Sequence, residues 1–152
     1  MSDELHDLIP SIRLTSVYRH KQSVMFLYDL LTERLEEPQT NISHTAMPTI
    51  ESHAEFVRAQ PYQAWYIIEN EHGDHVGAIY LTKQGRNMLG GEIGLYIKQK
   101  YRGQRYGVAS VNALMDKWKR KQYFLNINPS NAAAIKFWES LGAKPHQITM
   151  VL

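Results

Sequence analysis

The chain has 152 residues, of which 43% are apolar, carries a formal net charge of +2 and contains no cysteine. This length and apolar content fit one globular domain and exclude a disordered chain, and no uncharged apolar stretch is long enough to cross a membrane. The missing cysteines exclude disulfides, thiolate catalysis and cysteine-based zinc sites, and the small net charge does not indicate a nucleic-acid partner.

The N-terminus is polar and acidic, without the apolar core of a signal peptide. We therefore expect a single domain over residues 1–152 in the cytoplasm, with residues 1–10 as a loose leader. The densest basic run, residues 117–121, fits the last turn of a helix, where the helix dipole favours cations.

The first half of the chain predicts one strand and two helices. Residues 11–17 form the strand, and apolar residues at helical spacing predict a helix over 21–35. A polar loop over 39–47 follows. Thr49 is then the candidate N-cap of a second helix that reaches about Arg58.

The second half predicts a meander of three strands over residues 65–69, 75–82 and 92–98, because short glycine-containing turns join these runs. The later elements are a helix over 105–121, a strand over 123–127, a helix over 131–141 and a closing strand over 147–152. This order, βααβββαβαβ, predicts an α/β fold in which helices cover both faces of a mixed, mostly antiparallel sheet.

The most informative segment is the basic turn Arg102-Gly-Gln-Arg-Tyr-Gly107 between a predicted strand and a predicted helix. Such a junction presents unpaired backbone N–H groups and the positive end of the helix dipole, which suits a phosphate. Gly103 and Gly107 let a phosphate approach the backbone. The glycine spacing is neither that of a P-loop nor that of a dinucleotide fingerprint. The turn thus predicts a phosphate-bearing ligand, with a plain basic surface turn as the alternative.

This turn resembles motif A of the GNAT superfamily of acyl-CoA-dependent N-acetyltransferases, whose pattern is Gln/Arg-x-x-Gly-x-Gly/Ala after the fourth strand. The chain departs at the fourth position, where Arg105 replaces glycine. We expect ordinary helical dihedral angles there, and an added cation near the phosphates. Residues 131–142 resemble the family's motif B, Asn-x-x-Ala-x-x-Phe/Leu-Tyr-x-x-x-Gly, with Trp138 at the tyrosine position. The resemblance covers roughly residues 65–143.

The resemblance implies a sheet that is splayed between its fourth and fifth strands, with acetyl-CoA as the co-substrate in the opening. The implied cofactor-binding residues are Leu95, Tyr96 and Ile97 through their backbone groups, Arg102, Gly103, Gln104, Arg105, Tyr106, Gly107 and Val108 at the diphosphate, and Asn131 and Trp138 on the last helix. Asn131 is equally suited to a plain N-cap.

The resemblance also implies direct acyl transfer to an amine. Glu92, at the start of the fourth strand, is the implied base and works through water; the alternative is a solvated strand-edge carboxylate. Trp138 is a poor proton donor to a thiolate, so the general acid stays open between Tyr96, Tyr106, the ammonium product and water.

The implied acceptor is a primary amine, and residues 47–56, 61–68 and 125–129 resemble family members that act on amino sugars or amino-sugar nucleotides. Two alternatives stay open: a GNAT-fold module that binds acyl-CoA without catalysis, and a binder of another phosphate ligand. A homodimer is also left open. His72 and His75 favour a polar hairpin over a metal site, and no metal is expected. His44 and His53 lie near the stretch that lines the acceptor site in relatives.

Overall fold

The computed structural model describes residues 8–40, 46–84 and 90–152. His44 therefore lies outside the described residues, as do parts of the predicted leader and of the two predicted loops over 39–47 and 85–91.

The described strands form one antiparallel sheet in the order β1-β2-β3-β4. The strands are β1 (Ile12–Ser16), β2 (Ala64–Asn70), β3 (His75–Leu81) and β4 (Ile93–Ile97). The turn between β2 and β3 closes through the Asn70 side chain, which accepts hydrogen bonds from the backbone N–H groups of His72 and Asp74, each at 2.9 Å. The predicted antiparallel meander is confirmed.

Within the described residues, four α-helices accompany the sheet: α1 (Ser23–Leu35), α2 (Ile50–Arg58), α3 (Tyr106–Lys117) and α4 (Ala132–Ser140). Short polar side chains fix two of their starts, as predicted. Thr49 Oγ1 accepts a hydrogen bond from the Ser52 N–H at 3.1 Å, and Asn131 Oδ1 accepts one from the Ala134 N–H at 3.1 Å. Each cap satisfies a backbone donor that the first helical turn would otherwise leave without a partner.

Helices cover both faces of the sheet because the strands alternate their apolar side chains. Ile68 and Ile79 are fully buried in the cluster that packs against α3. Trp65 and Ile67 point the other way, into the cluster that α1 and α2 cover. Burying an aliphatic side chain of this size contributes about 1.5–3 kcal/mol, so both faces hold their helices firmly. The predicted α/β fold is confirmed.

The predicted fifth strand, residues 123–127, is reduced to one parallel bridge between Glu92 and Phe124. The Phe124 N–H donates to Gly91 O at 2.9 Å, and Phe124 O accepts from the Ile93 N–H at 2.8 Å. Beyond this point the chain leaves β4, so no ladder of backbone hydrogen bonds continues. The apolar run had the composition of a strand, but a strand also needs a partner along its length.

Two other predicted elements were wrong in extent. Residues 147–152 form no strand, and Ile148 and Met150 are exposed, because no described strand pairs with this segment. The helix predicted to reach residue 121 ends at Lys117. Trp118 leaves the helix with φ of −127°, and its indole N–H donates to Tyr66 Oη at 2.8 Å. This tertiary contact overrides the helical pattern of the sequence.

Candidate active site

The opening between β4 and the segment after Phe124 contains a cavity of about 740 Å³. One wall is β4, and the opposite wall is residues 125–128 together with α4; the turn that leads into α3 closes one end. The single bridge at Glu92 joins the two walls, and beyond it they diverge. This is the splay that the resemblance implied.

Nearly all of the predicted site residues line this large cavity. They are Glu92, Leu95, Tyr96, Ile97, Arg102, Gly103, Arg105, Tyr106, Gly107, Val108, Asn131 and Trp138. Gln104 is exposed and is not part of the lining. The fold thus brings together residues from β4, α3 and α4, although their individual roles stay predictions.

The turn into α3 uses the left-handed backbone region twice. Gly103 has φ of +78°, and Arg105, the N-cap of α3, has φ of +66° and ψ of +17°. The prediction of helical dihedral angles at Arg105 was therefore wrong. The N-cap lies outside the helix, so it does not need helical dihedral angles. Arginine adopts the conformation that glycine would adopt more easily, at a cost of about 1–2 kcal/mol.

The first turn of α3 presents backbone donors to the cavity. The Arg105 side chain makes no capping hydrogen bond to α3, whereas Asn131 caps α4. A Cβ atom on Gly107 would lie 3.1 Å from Phe137 Cζ and 3.6 Å from Leu95 Cδ2, so glycine leaves room there for the Phe137 ring. The N–H groups at the start of α3, together with the helix dipole, make this end of the cavity suitable for an anion.

Arg102 ties the turn to the segment after α1. Its guanidinium donates to both carboxylate oxygens of Glu37, at 2.7 and 3.1 Å, and its Nε donates to Ile97 O at 3.0 Å. The charge of Arg102, predicted as a cation at the phosphate turn, is therefore balanced by Glu37. Burial acts to raise the pKa of Glu37, but the hydrogen bonds from Arg102 and Tyr96 outweigh it and bring that pKa below its ordinary value.

The structure disfavours both tyrosines that were open as general acid. The Tyr96 phenol oxygen lies 2.9 Å from a carboxylate oxygen of Glu33 and 2.9 Å from one of Glu37, so its proton is held between them. Burial and these two carboxylates raise the pKa of Tyr96. Tyr106 is 4% exposed, and its hydroxyl accepts from Nδ2 of Asn70, the last residue of β2, at 3.4 Å.

A second, smaller cavity of about 260 Å³ lies between the sheet and the helices α1 and α2. Its walls are mainly aromatic and aliphatic, and it shares Arg34, Tyr80, Gly94, Leu95 and Tyr96 with the large cavity. The two cavities therefore meet at β4.

Tyr80 and Gly94 form the junction of the two cavities. They are cross-strand neighbours, and a Cβ atom on Gly94 would overlap the Tyr80 ring. The ring also stacks on Tyr62 with centroids 4.0 Å apart. Burial raises the pKa of Tyr80, and the negative charge of Glu92 adds to the rise. Sequence analysis missed Tyr80; the signal was an aromatic residue on β3 whose cross-strand partner is glycine.

Glu92 is fixed at the edge of this junction through its backbone. Its N–H donates to Thr82 Oγ1 at 2.7 Å, and its carbonyl accepts from the Thr82 N–H at 2.9 Å. Glu92 is one of the residues that line the large cavity. A carboxylate so placed can accept a proton from a group that enters from the smaller cavity, directly or through water.

A comparison with family models matches residues 25–143 to the Acetyltransferase (GNAT) family. The chain belongs to the GNAT acetyltransferase family. It is an acyl-CoA-dependent N-acetyltransferase, and acetyl-CoA is its co-substrate. The predicted family, enzyme class and co-substrate are thus confirmed.

Solved GNAT structures share the fold at low identity. One is a possible acetyltransferase from Clostridium difficile 630 (14% identity, TM-score 0.64, 95% of this chain and 97% of that one). Another is RimL, a ribosomal alpha-N-protein acetyltransferase in complex with coenzyme A (16%, 0.67, 86% and 78%). A third is a dodecameric spermidine N-acetyltransferase from Vibrio cholerae (12%, 0.65, 86% and 78%). A comparison with curated proteins found no match to this chain.

Membrane-spanning helices and metal-binding clusters are both absent from the described residues. None of their helices has the length and apolar character needed to cross a bilayer. Nor do they contain a group of three or more side chains able to hold a metal ion. His72 lies 3.5 Å from Glu71, while the His75 ring packs edge-on against Phe26 with centroids 5.2 Å apart.

Proposed function

We propose that this enzyme transfers the acetyl group of acetyl-CoA directly to a primary amine at the junction of its two cavities. The observation that carries the proposal is the meeting of a large and a small cavity at β4, with Glu92 at the edge of the large one. A direct transfer needs both substrates to reach one point from different sides, and this arrangement offers such a point.

The large cavity is the proposed site of acetyl-CoA. The N–H groups of residues 106–108 would bind the diphosphate at the start of α3. One edge of β4 pairs with β3, but among the described residues the other edge is bridged only near Glu92. Backbone groups of Leu95, Tyr96 and Ile97 on that edge are therefore proposed to pair with the pantetheine arm as a neighbouring strand would. Asn131 and Trp138 would contact the same arm.

The proposed role of Glu92 is to help remove a proton from the acceptor. An alkylamine has a pKa of about 10.4, so freeing its lone pair at pH 7 costs about 4–5 kcal/mol. Glu92 would accept the proton, directly or through one water. The amine then attacks the thioester carbonyl, the carbon–sulfur bond breaks, and the coenzyme leaves as a thiolate. A backbone N–H of β4 is the proposed donor to the oxyanion.

The test of Glu92 is a pH profile of the Glu92→Gln variant. Base-assisted transfer predicts a kcat lower by about 100-fold or more at pH 7 and a rate that rises with the concentration of free amine. The affinity for CoA, measured by calorimetry, should stay unchanged. Glu71→Gln, at an exposed position in the turn between β2 and β3, is the matched control. A Glu92→Gln profile equal to that of the wild type would remove Glu92 from the mechanism.

The same assays separate the alternatives from catalysis. A module that binds acyl-CoA without catalysis would bind CoA but release no thiol with any amine of a broad panel. A binder of another phosphate ligand would bind ATP and not acetyl-CoA.

The finer predictions need tests of their own. The aromatic walls of the small cavity support an amino sugar or amino-sugar nucleotide as the acceptor, since sugar rings stack on such walls, and an amine-library screen tests it. A single domain over 1–152 and a cytoplasmic location stay predictions from the sequence. The proposed homodimer is tested by light scattering after size-exclusion chromatography; the Vibrio spermidine enzyme is a dodecamer in its own structure.

A further inference from the structure

The charged side chain in the lining of the small cavity is positive. Among its lining residues, all of them described, there is no carboxylate, and the one permanently charged side chain is that of Arg34. The other basic group, His53, is 6% exposed, and its Nε2 lies 3.0 Å from Val24 O. The lining therefore carries one permanent positive charge and no carboxylate; the carboxylate of Glu92 belongs to the large cavity, at the junction where the amine is proposed to react.

Arg34 is held in place without being neutralised. Its Nε and Nη2 donate to Thr40 O at 3.3 and 3.0 Å, and Thr40 Oγ1 donates back to Arg34 O at 3.2 Å. These bonds orient the guanidinium, but they use only two of its five N–H donors, so the others can bind a ligand. No carboxylate in the described parts of the chain lies within ion-pair distance of Arg34.

Arg102, which also lines the large cavity, differs from Arg34 because it has a carboxylate partner. Its guanidinium is occupied by both carboxylate oxygens of Glu37, whose Oε1 also accepts from Tyr96. The other carboxylate of this network, Glu33, accepts from the Tyr96 hydroxyl and the Gln99 N–H. Glu33 and Glu37 are therefore paired with partners other than Arg34.

We infer that the acceptor carries an anionic group, a carboxylate or a phosphate, and that Arg34 binds this group while the amine reaches β4. The inference rests on the proposed acetyl transfer and names the class of its acceptor. The Arg34 fork can bind either anion with two parallel hydrogen bonds. The body of the acceptor lies against Phe56, Tyr62 and Trp65, so it is an uncharged ring or an apolar chain.

The same charge argues against a polyamine. A spermidine chain would bring further ammonium groups next to Arg34, in a cavity whose lining offers no carboxylate to pair with them. The spermidine acetyltransferases with this fold are only 12–14% identical to the chain. Acceptor chemistry can differ at that distance while the fold stays the same.

Matched pairs of acceptors test the inference. One pair is 4-(aminomethyl)benzoate and 4-methylbenzylamine, which differ in a carboxylate; the other is glucosamine 6-phosphate and glucosamine, which differ in a phosphate. Spermidine is the polycationic probe. A charge-assisted hydrogen-bond pair predicts kcat/KM higher by about 10-fold or more for the anionic member of at least one pair. The pair that shows the preference tells which anion is the ligand.

The variant Arg34→Gln should abolish this preference by lowering kcat/KM for the anionic member of the pair to about that of the member without the anion. Arg34→Lys keeps the charge but loses the fork, so it should retain part of the preference. Arg58→Gln, at an exposed position on α2, is the control and should behave as the wild type. Melting temperature and CoA affinity establish that each variant is folded.

Three results would overturn the inference: equal kcat/KM within both pairs, a preference for spermidine, or an Arg34→Gln effect confined to the KM for acetyl-CoA, which would assign Arg34 to the co-substrate. Binding is followed separately, by the thermal shift that each amine produces in the CoA complex. Selective binding of an anionic amine without acetylation would support the anion site and contradict the proposed transfer. Equal shifts for both members of each pair would contradict the anion site whatever the activity.

Discussion

The left-handed backbone at Arg105 predicts that a glycine variant is more stable there than an alanine variant, which is the reverse of the usual order of these two residues in a helix. At φ of +66° and ψ of +17°, an L-residue costs about 1–2 kcal/mol, whereas glycine costs little there. Against this, glycine lowers the free energy of unfolding by about 0.5–1 kcal/mol relative to alanine, because the unfolded chain is more flexible at a glycine and loses more entropy on folding. The difference leaves Arg105→Gly more stable than Arg105→Ala by about 0.5–1 kcal/mol. Both variants lack the arginine side chain, so its own contacts cancel in the comparison.

The measurement is urea unfolding of both variants, with the free energies compared at equal m-values. In a domain of this size, 1 kcal/mol also moves the melting temperature by about 2–4 °C. The control is the same pair at Asn112, an exposed position within α3, where Asn112→Gly should be less stable than Asn112→Ala by about 1 kcal/mol. If the alanine variant were the more stable at both positions, Arg105 would not have the left-handed conformation, and the described geometry of the turn would be wrong.

Two further predictions concern the same end of the cavity. Gly107→Val should weaken CoA binding by about 10-fold or more in calorimetry, because its side chain must displace the Phe137 ring 3.1 Å away and narrow the diphosphate site; an unchanged Kd would contradict the assigned turn. Glu37→Gln should destabilise the protein at pH 7 and raise the KM for acetyl-CoA, because Arg102 loses its ion pair, while Glu36→Gln should not. Because the pKa of Glu37 is lower when folded than its unfolded value of about 4.3, the stabilisation is present above that value and is lost as the pH falls through the folded pKa. Urea unfolding of wild type and variant at pH 7 and pH 3 should therefore show the difference shrinking at pH 3, and a constant difference would contradict the role of the Glu37 charge.

Local signals in the sequence predicted much of the fold. The polar caps at Thr49 and Asn131 work over three residues, so they are readable from the chain alone. The hairpin from β2 to β3 also closes through neighbours, with Asn70 accepting from residues 72 and 74. The turn into α3 was placed correctly for the same reason, since its glycines and its strand and helix are adjacent in the chain.

Features that depend on distant partners were not predictable. The run at 123–127 has the composition of a strand, but the splay of the sheet leaves it only one bridge. Arg102 meets Glu37 across 65 residues of sequence, and no local pattern announces that pair. The left-handed Arg105 contradicts its own residue preference, because the turn into α3 fixes the backbone there. The position of Arg34 at both cavities likewise follows from how α1 packs on the sheet.

The central claim is that the backbone at the start of α3 binds the diphosphate of the co-substrate, and a crystal structure with acetyl-CoA tests it most directly. We expect diphosphate oxygens about 2.7–3.2 Å from the N–H groups of residues 106–108, and the thioester near Gly94 at the junction of the two cavities. A complex with the diphosphate bound elsewhere, and with no ligand atom at the turn of residues 102–108, would contradict the account.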